Sequence, residues 1–318
     1  MKLKMAFVMD PVGTIDIEKD TTFVLMLEAQ ARGHEVWYLE LKDLFVRESR
    51  AMCKATELSL KRDTDYYKLG DTEVRELESF DAVWMRKDPP VNDDFLYATY
   101  ILSLINENKT KVINNPTGIR ESNEKMYALH FPEWIPESVV TKDISVLREF
   151  LESAGGEMVV KPLDGHGGEG IFFAKQGDRN ENVILESITK FGTEYVMAQK
   201  FIEKVYEGDK RIILLNGEPL GAVLRVPKSG GEFRCNFHSG GSPAKSPLTD
   251  RDLEICTAIA PRLRMDGLYF VGIDVIGGYV TEINTTSPTG VQEINNLNGT
   301  KIETEIIEFV ENLCNMDQ

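Results

Sequence analysis

Residues 156–175 read GEMVVKPLDGHGGEGIFFAK, and the fold turns on how their middle is understood. Met158 to Val160 are apolar, Lys161 follows, a glycine-rich loop comes next, and Ile171 to Ala174 close the stretch. Gly165 to Gly170 satisfy G-x-G-x-x-G, the dinucleotide-binding spacing. That fingerprint needs a helix to open at the last glycine, so that a pyrophosphate sits on the helix N-terminus. Ile171-Phe172-Phe173 is β-branched and aromatic instead, which is the composition of a strand. The stretch is therefore predicted to be two strands joined by a glycine loop. Such a loop is either an ordinary turn or a lid whose N–H groups fold over a triphosphate while Lys161 supplies a point charge.

Composition narrows the choice. A chain of 318 residues, 42% hydrophobic and 28% charged, has room for two or three globular domains. No apolar run approaches the ~20 residues of a bilayer span. The short apolar run in MKLKMAFVMD meets Asp10-Pro11 at once, too soon for a signal peptide, so it is predicted to be a first strand and the protein cytoplasmic. A net charge of −16 argues against nucleic acid but not against ATP, which needs only a local basic pocket and a metal. Cys53, Cys235, Cys256 and Cys314 show no paired or zinc spacing and are expected to be reduced thiols. His34, His130, His166 and His238 are equally scattered, and none is a favoured catalytic candidate.

Along the chain, a strand, the helix TTFVLMLEAQARG and the strand HEVWYLEL predict a parallel α/β unit. Residues 42–80 carry little core and are expected to be a hairpin with a surface helix. AVWM is a buried strand, and Arg86 stands at its C-terminal end, where open α/β sheets bind ligands. After the strand KVINNP, a helix is expected over GIRESNEKMYALHF, carrying Lys125. A boundary near 120 gives units of 1–120, 121–200 and 201–318. Two hairpins matter in the last unit, turning at Asn216-Gly217 and Gly277-Gly278. Two-residue turns would put Arg211 and Arg225 on opposite faces and flip Asp274 away from Glu282 and Asn284. Three-residue loops would gather each set, and this odd-length, bulged loop is the expectation for both. Residues 226–247 form the longest turn-rich stretch, holding Arg234, and are expected to be a functional lid.

Asp274, Glu282 and Asn284 offer only hard oxygen ligands, which suit Mg²⁺ shared with substrate phosphates. They lie among strand-forming residues at the end of a buried hairpin, where unpaired charge is costly, which favours a metal over two solvated carboxylates. Lys125, Lys161, Arg211 and Arg225 would then be the positive complement of a transferring phosphoryl group. Neither a G-x-x-x-x-G-K-[ST] loop nor a protein-kinase catalytic loop is present.

KPLDGHGGEGIF, AQKFI, EGDKRI, FVGIDVI and TEINTTSPTG, in this order and spacing, resemble the ATP-grasp superfamily. MDP, MRKDPP, ATYIL, SNEK and GGEFR bring the resemblance closer, to the prokaryotic glutathione synthetase family, over nearly the whole chain. The resemblance implies a Rossmann-like N-terminal α/β domain followed by an ATP-grasp fold of two α+β subdomains. It implies that Lys125 and Lys161 contact ATP phosphates under Gly165, Gly167 and Gly168, that Gln199, Lys200 and Ile202 meet the adenine, and that Asp209 meets the ribose. It makes Asp274, Glu282 and Asn284 ligands of Mg²⁺ or Mn²⁺. Arg211 and Arg225 become the groups facing the transferred phosphoryl, and Arg86, Arg234 and Ser287 the contacts for a peptide. The reaction it implies joins γ-glutamylcysteine to glycine through an acyl phosphate, in a homotetramer. Cys235 stands where that family's pattern has glycine. Three rivals remain: a ligase for another carboxylate and amine, a nicotinamide-dependent oxidoreductase, which IFFAK opposes, and a non-catalytic nucleotide sensor.

Overall fold

The computed structural model describes residues 2–165, 167–228, 233–236 and 240–315. His166, His238 and the Gly230 to Glu232 part of the GGEFR segment lie outside the described residues. The first seven strands are β1 (Lys4–Val8), β2 (Glu35–Leu39), β3 (Leu44–Arg47), β4 (Arg50–Leu60), β5 (Tyr67–Glu76), β6 (Ala82–Met85) and β7 (Lys111–Ile113). They form one sheet in the order β3-β4-β2-β1-β6-β7, with β5 paired to β4. β1 runs parallel to β2 and β6, and β6 to β7. Met5 to Val8 and Ala82 to Met85 are buried on both faces, which is why they read as continuous apolar runs. Helices α1 (Thr21–Ala31), α2 (Asp93–Leu102) and α3 (Pro116–Glu121) complete this region.

Two expectations here are corrected. Residues 42–80 contain no surface α-helix: β3, β4 and β5 are antiparallel neighbours, joined to the rest by single 3-10 turns. Ala51, Cys53 and Ala55 are buried at every second position, and a bulge between Thr56 and Leu58 shifts the parity to Leu58 and Leu60. That shift broke the period-2 signal in the sequence. Lys125 is not helical either, since α3 ends at Glu121 and a 3-10 turn begins at Met126. The connection turns at Glu124 and Lys125 against the C-terminal sheet, where the Ile283 N–H donates to the Glu124 carbonyl (2.9 Å) and the Ser122 and Thr285 hydroxyls meet at 2.9 Å.

β8 (Ser138–Thr141), β9 (Glu157–Pro162), β10 (Phe172–Lys175) and β11 (Val196–Lys200) form an antiparallel sheet in the order β10-β9-β11-β8. Leu147 and Leu151 of α4 (Ile144–Ser153), with Leu185 and Ile188 of α5 (Glu181–Ile188), pack on Met158, Val160, Ala174 and Ala198. This core is separate from the two that the N- and C-terminal regions share.

The third sheet, β14-β13-β12-β15-β16, comprises β12 (Asp209–Leu215), β13 (Glu218–Val226), β14 (Ser242–Lys245), β15 (Phe270–Ile276) and β16 (Tyr279–Asn284). Its turns correct the expected loops. β12 turns to β13 through Asn216 and Gly217 alone, at φ 50 and 81°, and β15 to β16 through Gly277 and Gly278, at φ 59 and 84°. Left-handed residues at both positions make the tight turn that suits a twisted hairpin. The odd residue sits in the strands instead, as bulges at Leu220 and Thr281. A bulge changes parity as a longer loop would, so Arg225 stands opposite Asp209, beside Arg211, and Asp274 opposite Glu282. Helices α6 (Asp250–Met265), which runs through Pro261, α7 (Val291–Asn298) and α8 (Ile302–Asn315) follow. α8 returns to the first region, where Glu311 pairs with Arg32 and with His34 Nε2 (2.7 Å).

Because the central core is separate, Leu185→Ala is expected to destabilise that unit by about 2–5 kcal/mol. Hydrogen exchange checks this: amides of β9 and β11 lose protection while those of β1 and β12 keep it.

Candidate active site between two antiparallel sheets

The central sheet and the β12–β16 sheet face each other across a cleft of ≈ 840 Å³. Lys161, near the end of β9, crosses it to donate to the Thr281 carbonyl at 2.8 Å. Burial pushes its ammonium down to about 8, against the opposing pull of Glu282. Gly165, Gly167 and Gly168 line the cleft beside it. A Cβ on Gly165 would lie 2.7 Å from Pro162 Cγ, and Gly167 and Gly168 sit at φ 62 and 85°, so the loop conformation requires glycine. Gln199, Lys200 and Ile202 line the wall formed by the end of β11. Gln199 is buried, with its Nε2 donating to the Ser138 hydroxyl at 3.1 Å, while Lys200 pairs with Glu137 at 2.6 Å. The Lys125 ammonium donates to the Gly165 carbonyl and lies 3.2 Å from Glu282, linking the glycine loop to the opposite sheet.

On that opposite sheet four buried charges alternate in a row. Arg211 grips Asp274 with both Nε and Nη2, at 2.5 and 3.0 Å. Arg225 reaches Asp274 at 2.8 Å and also pairs with Asp209. Burial alone would push the Asp274 carboxyl up, but the Arg211 and Arg225 guanidiniums outweigh it and hold it well below the usual range. Asp209 is the reverse: burial, with Asp274 adding repulsion, pushes it up to about 6 despite Arg225. Gly272 permits the Arg211 pose, since its Cβ would lie 3.1 Å from Arg211 Cδ. Glu282 and Asn284 complete the face, with Asn284 Nδ2 donating to the Gly272 carbonyl at 3.2 Å, which leaves its Oδ1 as the available ligand atom. Two carboxylates and an amide oxygen are a hard donor set. Among the described residues no cluster of three His, Cys, Asp or Glu side chains competes with it.

Arg211, Arg225, Asn284 and Ser287 open onto an adjoining pocket of ≈ 1210 Å³. Arg86 does not reach it. That guanidinium is buried, lines a separate pocket together with Asp10 and Asp88, donates to the Thr22 hydroxyl and the Pro288 carbonyl (both 3.0 Å), and lies over the Phe270 ring. Arg234 lines the first cleft, together with Phe233 and Cys235. All four cysteines are free and buried. The Cys235 thiol donates to the Val205 and Phe233 carbonyls, and burial pushes it up to about 12, so it packs rather than reacts.

One residue of this site was not singled out from the sequence. Glu124 lies half-buried against the loop after β16, where its Oε1 accepts from the Thr285 and Thr286 N–H groups and the Thr286 hydroxyl. Burial and the neighbouring Glu282 push its carboxyl up. It precedes Lys125 in SNEK, and the lysine drew the attention. Nothing in one sequence marks a carboxylate that will be buried against backbone N–H groups.

Arg225→Met leaves Asp209 and Asp274 buried with one cation fewer. It is expected to lower stability by about 3–5 kcal/mol. The sign follows from the carboxylates: protonation removes the uncompensated charge, so denaturant midpoints should show a smaller deficit at about pH 5 than at pH 8.

The chain matches the family model "Prokaryotic glutathione synthetase, N-terminal domain" over residues 3–120 and "Prokaryotic glutathione synthetase, ATP-grasp domain" over residues 124–299. It is 48% identical to the glutathione synthetase of Thermosynechococcus vestitus, covering 97% of this chain and 99% of that one. It is 49% identical to that of Nostoc sp. (97% and 98%) and 41% identical to that of Vibrio vulnificus (98% and 98%). Among solved structures it resembles a D-cycloserine synthetase, with a TM-score of 0.70 at 16% identity over 98% of this chain and 99% of that one. It also resembles a RimK-domain ATP-grasp protein from Sphaerobacter thermophilus, with a TM-score of 0.63 at 17% identity over 96% and 98%. At such identities these two show the fold alone, whereas the full-length relatives and the two family models establish that the chain belongs to the prokaryotic glutathione synthetase family.

Proposed function

We propose that this protein joins γ-glutamylcysteine to glycine at the expense of ATP, in three units of residues 1–120, 121–200 and 201–318. The observation that carries this reading is the convergence on one cleft of two lysines, a glycine loop and an opposed face of carboxylates, whose Arg211 and Arg225 partners open onto the adjoining pocket. A carboxylate is a poor electrophile, so it must first be activated. Its oxygen attacks the γ-phosphorus of ATP, ADP leaves, and an acyl phosphate forms; the glycine amine then attacks the acyl carbon and phosphate departs. Lys125 and Lys161 neutralise the ATP phosphates under Gly165, Gly167 and Gly168. Gln199, Lys200 and Ile202 hold the adenine, and Asp209 contacts the ribose on exchanging its Arg225 partner. Arg211 and Arg225 face the transferred phosphoryl and orient it, with Arg234 and Ser287 on the peptide.

Asp274, Glu282 and Asn284 would hold Mg²⁺ or Mn²⁺, which supplies charge neutralisation at the phosphates. Their all-oxygen set fits such an ion, provided that Asp274 loosens from Arg211 or Arg225. Residues 226–247 act as a lid, because water would hydrolyse an acyl phosphate. Phe233 supports this by packing against Phe201, just past the central unit, and Phe173 within it, with ring centroids 6.3 and 6.5 Å apart. No described helix is long and apolar enough to cross a membrane, and we take the enzyme to be cytoplasmic. A homotetramer is the assembly we propose, to be checked by sedimentation.

The decisive assay is phosphate release from ATP with each substrate alone and with both. Release that requires both, matched by a thiol tripeptide, upholds the reading; release with a different acid and amine moves the substrate. Shortening the 226–247 segment should raise phosphate release per peptide bond formed, and tight coupling after shortening would remove the lid from the account. Lys161 is cationic below about 8 and loses its charge as pH rises through that value. Nucleotide affinity measured by titration should therefore fall on the alkaline side, and Lys161→Met should abolish that limb.

A further inference from the structure

Gln199 and Ser138 form a cross-strand pair. β11 runs antiparallel to both β8 and β9, which sets Gln199 opposite Ser138 on one side and opposite Val159 on the other. Directly opposed residues share a face of the sheet. Val159 and Lys161 alternate with Met158 and Val160, which belong to the core under α4 and α5. The Gln199 side chain therefore stands on the cleft face with Lys161, and both residues line the cleft. The register beside the pair is held by Lys200, whose N–H donates to the Glu137 carbonyl at 2.9 Å and whose ammonium meets the Glu137 carboxylate at 2.6 Å.

A primary amide has a donating end and an accepting end of nearly equal shape, so its partners decide which end points where. The Ser138 hydroxyl owns one proton and gives it to the Pro136 carbonyl at 2.7 Å. Toward Gln199 it can then only accept, and Nε2 donates to it at 3.1 Å. The nitrogen is thereby turned to β8. Oε1 accepts from none of the described residues and is not sealed from solvent, so it is left to the cleft.

We propose that Ser138 is a positioning residue: by holding the Gln199 amide with its oxygen toward the cleft, it makes the site select a purine nucleotide with an amino group at C6 over one with an oxo group there. This rests on the reading above that puts a purine base against Gln199. Ser138 is not one of the described residues that line the cleft, and it acts through its neighbour. The amino group of adenine donates, whereas the oxo group of hypoxanthine or guanine accepts. Oε1 meets the first with a hydrogen bond and the second with opposed lone pairs. Val159, Ile171, Ile202 and Ile276 also line the cleft, so a mismatched oxygen finds little there to replace the bond it lacks. An amide turned the other way would invert the preference. The Ser138 hydroxyl forbids that turn, because Oε1 facing it would meet an oxygen with no proton to give.

The test is calorimetric binding, with Mg²⁺ present and no peptide, of ATP, ITP and purine riboside triphosphate, which carries no substituent at C6. The unaltered protein should bind ATP about 10–100-fold more tightly than ITP. In Ser138→Ala the amide is free to turn to suit either base. The preference should then fall to within about threefold, while affinity for purine riboside triphosphate stays within about twofold. Ser138→Thr keeps the hydroxyl and should keep the preference; a preference lost equally in both variants removes the hydroxyl from the account. A merely structural role would weaken all three nucleotides alike, and that result overturns the proposal. So does a preference that survives Ser138→Ala, or one absent from the unaltered protein while ATP still binds. Binding of none of the three by the unaltered protein would fail the nucleotide reading itself, and this proposal with it.

Discussion

The buried row Asp209, Arg225, Asp274, Arg211 is the interaction on which the rest of the site depends. Each guanidinium is held by carboxylate and each carboxylate by guanidinium, so four charges survive in a place that would tolerate none of them singly. The arrangement exists only because two strands each carry one extra residue. Without the bulges at Leu220 and Thr281, the tight turns at Asn216-Gly217 and Gly277-Gly278 would send Arg225 and Asp274 to the far face. A one-residue irregularity in each hairpin therefore assembles the chemistry.

Across the cleft, the central sheet contributes cations and a glycine loop on a separately packed core. The N-terminal and C-terminal regions share their cores, and Asn114 fastens them, its Nδ2 donating to the Phe270 and Thr285 carbonyls at 2.8 Å. One side of the cleft thus shares its packing with the region that bears the pocket proposed for the peptide, while the other carries the glycine loop on a core of its own. Such a division suits an enzyme that must admit ATP and then exclude water.

Much of this was legible in the sequence, for reasons that differ by element. The strand after Gly170 followed from IFFAK, because β-branched and aromatic residues cannot open a helix as readily as they pair in a sheet. The shared face of Arg211, Arg225, Asp274, Glu282 and Asn284 followed from parity, although the odd residue was assigned to the turns rather than to the strands. Parity fixes how many residues must be absorbed but not where. Residues 42–80 misled because the bulge near Glu57 splits an alternating pattern into halves too short to recognise. Lys125 misled because its segment is held as a non-helical turn by hydrogen bonds to β16 and the residue after it, partners about 160 residues away in the chain. Glu124 carried no signal at all, since its interest lies in what surrounds it after folding.

In the proposed reaction a substrate carboxylate is phosphorylated in this cleft before the amide bond forms. Ligation with γ-glutamylcysteine labelled with ¹⁸O in its cysteinyl carboxylate tests it most directly. An acyl phosphate requires one labelled oxygen to leave with the phosphate, so mass spectrometry should find a single ¹⁸O in the released phosphate for each peptide bond made. Phosphate released without label, alongside tripeptide formation, would contradict the account.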